Sequence, residues 1–237
     1  MAEVALNIAI GLVTSVLSGG WVWLWQRGKA ARILQRRARF FGLRPGETCI
    51  IVMNNRWDLP GSAEHHDVQA MIEAAVLAHQ VGCAVSMRSS DEFREGNDNC
   101  VEFCIGGPEN GSNVRSGGHL AHNLPGVAIR PFSTRRDSMA IVVGGERFLR
   151  DRDNQEYALV AKFTPPGASR PVVLTCGQSA IANHAAMYFL TRSYRQLSNL
   201  VATTEQFCLV IRVESIGIYG FRGAVLAKDV SAAAFTR

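Results

Sequence analysis

Hydrophobic and polar positions divide the chain into three stretches with different periods. The first carries no charge from Val4 to Trp25, and its clearly polar members are Asn7, Thr14, Ser15 and Ser18. A run of that length, 22 residues, reaches about 33 Å as a helix, enough for a hydrocarbon core of roughly 30 Å. Trp21, Trp23 and Trp25 close it, where interfacial aromatics belong. In the second stretch Ile33, Leu34, Phe40 and Phe41 are interspersed with Arg32, Arg36, Arg37 and Arg39, the pattern of a basic helix. The third begins after Gly42-Leu43-Arg44-Pro45-Gly46, where short apolar runs alternate with helical spacing.

In that third stretch residues 49–53 form a continuous apolar run, expected of a strand buried on both faces. Residues 64–81 recur at three and four, a helix that Gly82 ends. Strands are expected at 84–87, 101–105, 127–129, 139–143, 157–163, 171–176, 207–213 and 223–229, with helices at 114–123 and 180–200. The alternation predicts a three-layer α/β fold. Its sheet is expected to be Rossmann-like and mostly parallel, with antiparallel edge strands near 139–163 and 207–229, and one transmembrane helix precedes it. The domains expected are a transmembrane signal anchor over 1–26, a basic juxtamembrane helix over 27–44 and a cytosolic α/β domain over 45–237.

Charge sharpens the first part of this picture. Seven cations (Arg27, Lys29, Arg32, Arg36, Arg37, Arg39 and Arg44) follow the apolar run with no acid among them. Removing them from the net +5 leaves the rest of the chain at −2, so the body is not a basic nucleic-acid-binding domain. A signal peptide would carry cations before its apolar run and a small-residue cleavage site after it; here the cations come after. The positive-inside rule places this flank and the body in the cytoplasm of a single-pass membrane protein, with the run and its flank in contact with lipid. Gly11 and Ser15 form a small-xxx-small spacing that suits helix pairing, and hence a homo-oligomer.

Two strand–turn–helix units carry the candidate chemistry. Gly106-Gly107-Pro108-Glu109-Asn110 follows the 101–105 strand, and Gly177-Gln178-Ser179, with Asn183 beyond it, follows the 171–176 strand. In open α/β sheets such carboxyl-end turns form the ligand crevice, and N–H groups at a helix start suit an anion. Asn54, Asn55 and Arg56 end the first strand and bring a guanidinium to the same place. The expected ligand-binding set is therefore Asn54, Arg56, Gly106, Gly107, Asn110, Gly177, Gln178, Ser179 and Asn183, around a small electropositive hollow. As a bland alternative, the glycines merely close tight turns and Ser179 caps the following helix.

No cofactor or metal is called for. G-x-G-x-x-G and G-x-x-x-x-G-K-[ST] are absent, and the six cysteines contain no C-x-x-C. The segment Gly177-Gln178-Ser179-Ala180-Ile181 has the first half of a nucleophile elbow, but Ile181 stands where the second glycine belongs. His119 and His122, three apart on one helix, bring no third ligand by spacing.

The GGP-x-N turn at 106–110, the Cys-Gly-Gln-Ser-x-x-x-Asn segment at 176–183 and the Phe-Cys-Leu-Val-Ile-Arg run at 207–212 resemble uncharacterised bacterial α/β proteins that are often membrane-anchored. In architecture the body is also similar to Rossmann-like sensor domains of bacterial signalling and defence systems. That resemblance implies a small anionic, nucleotide-derived ligand and brings no catalytic set. Three classes stay open: a ligand-binding or signalling module; a hydrolase or transferase using Ser179, Cys104 or a histidine in the same crevice; and a membrane-tethered scaffold.

Overall fold

In the computed structural model the first two stretches form one helix, α1 (Ala2–Phe41), unbroken at the charge boundary. The described residues are all but 1, 57, 60–61, 94–95, 98, 152–153 and 237; the side chains of residues 2–19 and of Asn110 also lie outside them. Most of the expected membrane run thus falls outside the described residues, and among these no helix is long and apolar enough to cross a membrane. The described end of the run is bare, with Trp21, Trp23 and Trp25 at 74%, 56% and 62% exposure. Arg27 lies over the Trp23 ring at 5.0 Å and Lys29 over Trp25 at 5.4 Å.

The last turn of α1 behaves differently. Phe40 and Phe41 are buried; Phe40 stacks on Phe207 with centroids 5.4 Å apart, and Phe41 lies 5.9 Å from Phe103. Gly42, at φ 76°, then turns the chain and Leu43 is buried behind it. The buried core therefore takes in Ala38, Phe40 and Phe41, ahead of the expected 44/45 boundary, because burying two phenylalanine rings is favourable while Arg36 and Arg39 on the same helix keep their charges in water.

The body runs β1 (Thr48–Met53), α2 (His65–Val81), β2 (Ala84–Ser89), β3 (Val101–Ile105), α3 (Val114–Asn123), β4 (Val127–Ile129), β5 (Ile141–Val143), β6 (Glu146–Phe148), β7 (Gln155–Phe163), β8 (Val172–Gly177), α4 (Ala180–Leu200), β9 (Phe207–Glu214), α5 (Ile216–Tyr219), β10 (Ala224–Asp229) and α6 (Ser231–Ala234). Seven strands form one sheet in the order β10-β9-β7-β8-β3-β1-β2. The β2-β1-β3-β8 half is parallel, and β7, β9 and β10 extend it antiparallel.

The sheet is thus mixed, where a mostly parallel one with antiparallel edges was expected. β7 reads as a parallel-core strand because it is buried on both faces, but the eight residues between it and β8 are too few for a crossover and impose an antiparallel neighbour. The edge strands expected near 139–163 also divide: β7 lies inside the main sheet, while β5 joins β4 and β6 in a separate three-stranded sheet. β6 is too short to show a period.

Alternate side chains of the main sheet feed two apolar layers. Ala158, Val160, Leu209 and Ile211 pack with α2, α4 and the end of α1. Leu159, Ala161, Phe163 and Val210 pack with α3, the small sheet and α6.

Candidate functional site

Parallel pairing sets the carboxyl ends of β1, β3 and β8 side by side, and a cavity of about 320 Å³ opens there. Asn54, Arg56, Gly107, Gly177, Gln178, Ser179 and Asn183 all line it, so the two glycine turns share one edge of the sheet. Gly106 is buried behind Asn54, where a Cβ would collide with the Asn54 side chain. Asn110 sits in the short Glu109–Gly111 turn, with its side chain outside the described residues.

Sequence reasoning missed the centre of the cavity. Asp67, in the first turn of α2, is 1% exposed; it accepts hydrogen bonds from Asn54 Nδ2 at 2.8 Å and Asn183 Nδ2 at 2.8 Å. Asn183 Oδ1 in turn accepts the Gly177 N–H at 2.6 Å, so one chain of contacts ties β1, α2, α4 and β8 together. The buried Asn54 Oδ1 has no partner among the described residues. Burial pushes the Asp67 carboxyl above its ordinary range, against the pull of both asparagine hydrogen bonds, and burial raises Glu109 in the same way. The floor is therefore rich in acceptors. The signal was Asp67 in the opening turn of a helix, where a carboxylate complements the N–H dipoles.

The cradle of free N–H groups does not exist in the form expected. Gly106 N–H donates to Thr175 O at 2.8 Å, Gly177 N–H to Asn183, and Gln178 N–H to Tyr157 O at 3.0 Å. Buried backbone N–H groups need acceptors, and here neighbouring strands and the Asn183 side chain supply them. Gln178 is a clamp between the two sheets: its Nε2 donates to Met139 O at 3.1 Å and Phe148 O at 2.8 Å, and its Oε1 accepts the Tyr157 N–H at 2.9 Å. Met139, at φ 61°, is held there in a left-handed backbone that costs a non-glycine residue energy.

The hollow is also not electropositive. Arg56 is bound by Asp58 at 2.6 Å and Glu64 at 3.3 Å, and Arg150 by Glu156. Against these two guanidiniums the lining sets Glu64, Asp67 and Glu109. Positive charge collects next door, in a cavity of about 500 Å³ that shares Phe132 and Arg150 with the first and is walled by Arg135 and Arg136. The Arg135-Arg136 pair, in a polar loop between β4 and β5, was the legible signal for this vestibule.

Ser179 caps α4, accepting the Ala182 N–H at 3.3 Å, and its Oγ donates to Glu156. Since Arg150 already neutralises that carboxylate and no histidine lines the cavity among the described residues, Ser179 lacks a histidine base. Cys104 does not line the cavity; it is fully buried in the layer packed by α3 and the small sheet, where burial pushes its thiol well above the ordinary range, so no thiolate is available. His65, His66 and His184 line a separate cleft, with His66 Nδ1 and His184 Nδ1 3.3 Å apart.

Glu102, Cys104 and His119 offer ligand atoms within 4.8 Å of one another. The donor set suits a metal poorly. Glu102 is held by Arg115 at 2.6 and 3.0 Å and by His119 Nε2 at 2.8 Å. Burial works to raise the Glu102 carboxyl, but these hydrogen bonds outweigh it and hold it below its ordinary range, and the thiol stays protonated. This is a buried ion-pair cluster that fastens α3 to β3. No protein-family model matches the chain, and no curated protein matches it.

Proposed function

We propose that the chain is a single-pass membrane protein whose Rossmann-like body is a cytoplasmic ligand-binding module for a small nucleotide-derived anion. The observation that carries this reading is the pair of joined cavities at the carboxyl edge of the parallel strands. One has an acceptor-rich floor of Asn54, Asp67 and Glu109, and the other has arginine walls. A nucleotide matches both: hydroxyl and amino donors toward the floor, phosphate toward Arg135, Arg136 and Arg150. The resemblance of the GGP-x-N turn to bacterial membrane-anchored α/β proteins supports the same class. The bare tryptophan collar and the acid-free cations beyond it support the anchor and its orientation.

The test is native mass spectrometry of the full chain in detergent for a retained small molecule. It is paired with thermal shifts under nucleoside mono- and oligophosphates and under inorganic phosphate. Nucleotides should stabilise more than phosphate alone, and Arg136→Gln, exposed and outside the core, should remove that excess. No retained molecule and no nucleotide-dependent shift would sink the reading. A second reading, hydrolysis, rests on Ser179 beside Glu156; turnover of a bound nucleotide that vanishes in Ser179→Ala with the fold intact would favour it.

A further inference from the structure

The opposite edge of the sheet holds a second cluster of charge that the proposed ligand does not use. Where the end of α1 meets the end of α4, a cavity of about 410 Å³ is lined by Arg36, Arg39 and Arg195, with Ser198, Asn199 and Thr204 beside them. All three arginines are exposed, and none has an ion pair among the described residues. Only Arg195 is hydrogen-bonded, through Nε to Tyr194 Oη at 3.1 Å. Among the described residues no acid lines the cavity.

Beneath it lies a fourth cation. Lys162, 1% exposed, sends its ammonium to Phe40 O at 2.8 Å and Thr204 O at 2.7 Å, the carbonyls of two residues of the cavity wall. These two acceptors leave one of its three N–H groups unmatched among the described residues. Burial pushes its pKa down, and Glu205, exposed and outside the cavity wall, opposes that only in part. A buried ammonium under three unpaired guanidiniums is a repulsive arrangement that an anion relieves.

We infer that the joint between the anchor helix and the body binds a phosphate-type anion, held by Arg36, Arg39 and Arg195 over the buried Lys162. Guanidinium forks match phosphate oxygens in pairs, and the hydroxyl and amide side chains supply further donors. Two sources carry that chemistry, a lipid headgroup and a free phosphate or its ester. Along a straight α1 the rise from Trp25 to Arg36 is about 17 Å, whereas the headgroup layer adds only about 5–7 Å beyond the hydrocarbon core. The cavity then stands clear of the lipid phosphates, which favours the free anion. That choice of source rests on the anchor reading; the anion chemistry does not.

The experiment uses the full chain in nanodiscs. In one arm, phosphatidylcholine discs are titrated with inorganic phosphate and pyrophosphate; in the other, phosphatidylglycerol is mixed into the discs and no anion is added. The readouts are calorimetric affinity and thermal shift. Saturable phosphate or pyrophosphate binding is expected in the first arm, weakened about tenfold by Arg39→Gln or Arg195→Gln and unaffected by Arg136→Gln. Stabilisation by phosphatidylglycerol alone, lost in the same two variants, would keep the pocket and overturn the free-anion source. No binding in either arm, or equal binding by wild type and both variants, would overturn the site. Loss only in Arg136→Gln would move the anion to the vestibule and also overturn it. Circular dichroism of each variant separates lost binding from lost fold.

Discussion

The two edges of the sheet handle charge in opposite ways. At the carboxyl edge the two guanidiniums of the main hollow are ion-paired, Arg56 with Asp58 and Glu64 and Arg150 with Glu156, and the Gly106, Gly177 and Gln178 N–H groups donate to Thr175 O, Asn183 Oδ1 and Tyr157 O. At the amino edge Arg36, Arg39 and Arg195 have no ion pair among the described residues and stand above a buried lysine. Part of the difference is helical. α2 and α4 begin at the carboxyl edge, where Asp67 in the first turn of α2 complements a helix start; α1 ends at the amino edge with Arg39 in its last turn, whereas Arg36 and Arg195 lie ahead of the last turns of α1 and α4. A helix end accounts for Arg39 but not for Arg36 and Arg195, and none of the three has an ion pair among the described residues. The main hollow of the carboxyl edge is held by contacts within the protein, whereas the arginines of the amino edge have no counter-charge among the described residues.

That contrast can be broken, first at the amino edge. Phe41→Ala should remove about 3–5 kcal/mol of stability, since Phe41 is 1% exposed and packs against Phe103. Denaturant unfolding of the full chain checks it; a loss below 1 kcal/mol or so would return the end of α1 to the role of a detachable tether.

At the carboxyl edge, Gly177→Ala would place a Cβ 2.7 Å from the Asn183 N and 2.8 Å from Ala182 Cβ. The first turn of α4 must shift, at a cost of about 1–3 kcal/mol, and the Asn183–Asp67 contact should loosen with it. An unchanged unfolding midpoint would show that the turn has slack.

Acid should separate the two edges. Burial, helped by His66, pushes His184 down from 6.5 to about 4, so the fold favours its neutral form. The stability it contributes is fully present above the unfolded value of 6.5 and is lost as pH falls toward about 4. His66 and His184 adjoin Asp67 and Asn183, so the melting temperature should fall over that window and the floor of the hollow should loosen. A His184→Asn protein should have a flatter profile; an identical profile would remove the histidine from the account.

The smallest effect is expected at Ser179. Ser179→Ala loses an N-cap and should cost about 1 kcal/mol by equilibrium unfolding. A much larger loss would mean that its bond to Glu156 carries more of the edge than the cap does.

Much of the fold was legible because its signals are local. The continuous apolar run at 49–53, the helix expected at 114–123 and Ser179 ahead of the 180–200 helix each announce their element, and each element lies there. That the 106–107 and 177–179 turns share an edge also follows from local logic, since strands of one parallel sheet end together. What those turns do with their N–H groups was not legible. Whether Gly177 N–H faces a ligand or Asn183 Oδ1 depends on a side chain six residues on, and Asp67 reaches the same point from 116 residues away.

The sequence by itself determined the apolar run and its cationic flank, the alternation of strand and helix, and the polar turns that end β1, β3 and β8. These rest on period and composition, which act over a few residues. Only the tertiary structure decided that β7 lies inside a mixed sheet, that Phe40 and Phe41 belong to the core, and that Asp67 centres the hollow. It alone sets Lys162 beneath the end of α1. Each of these depends on which distant groups meet. A buried charge or ring takes its environment from neighbours across the fold, and the local period carries no record of them.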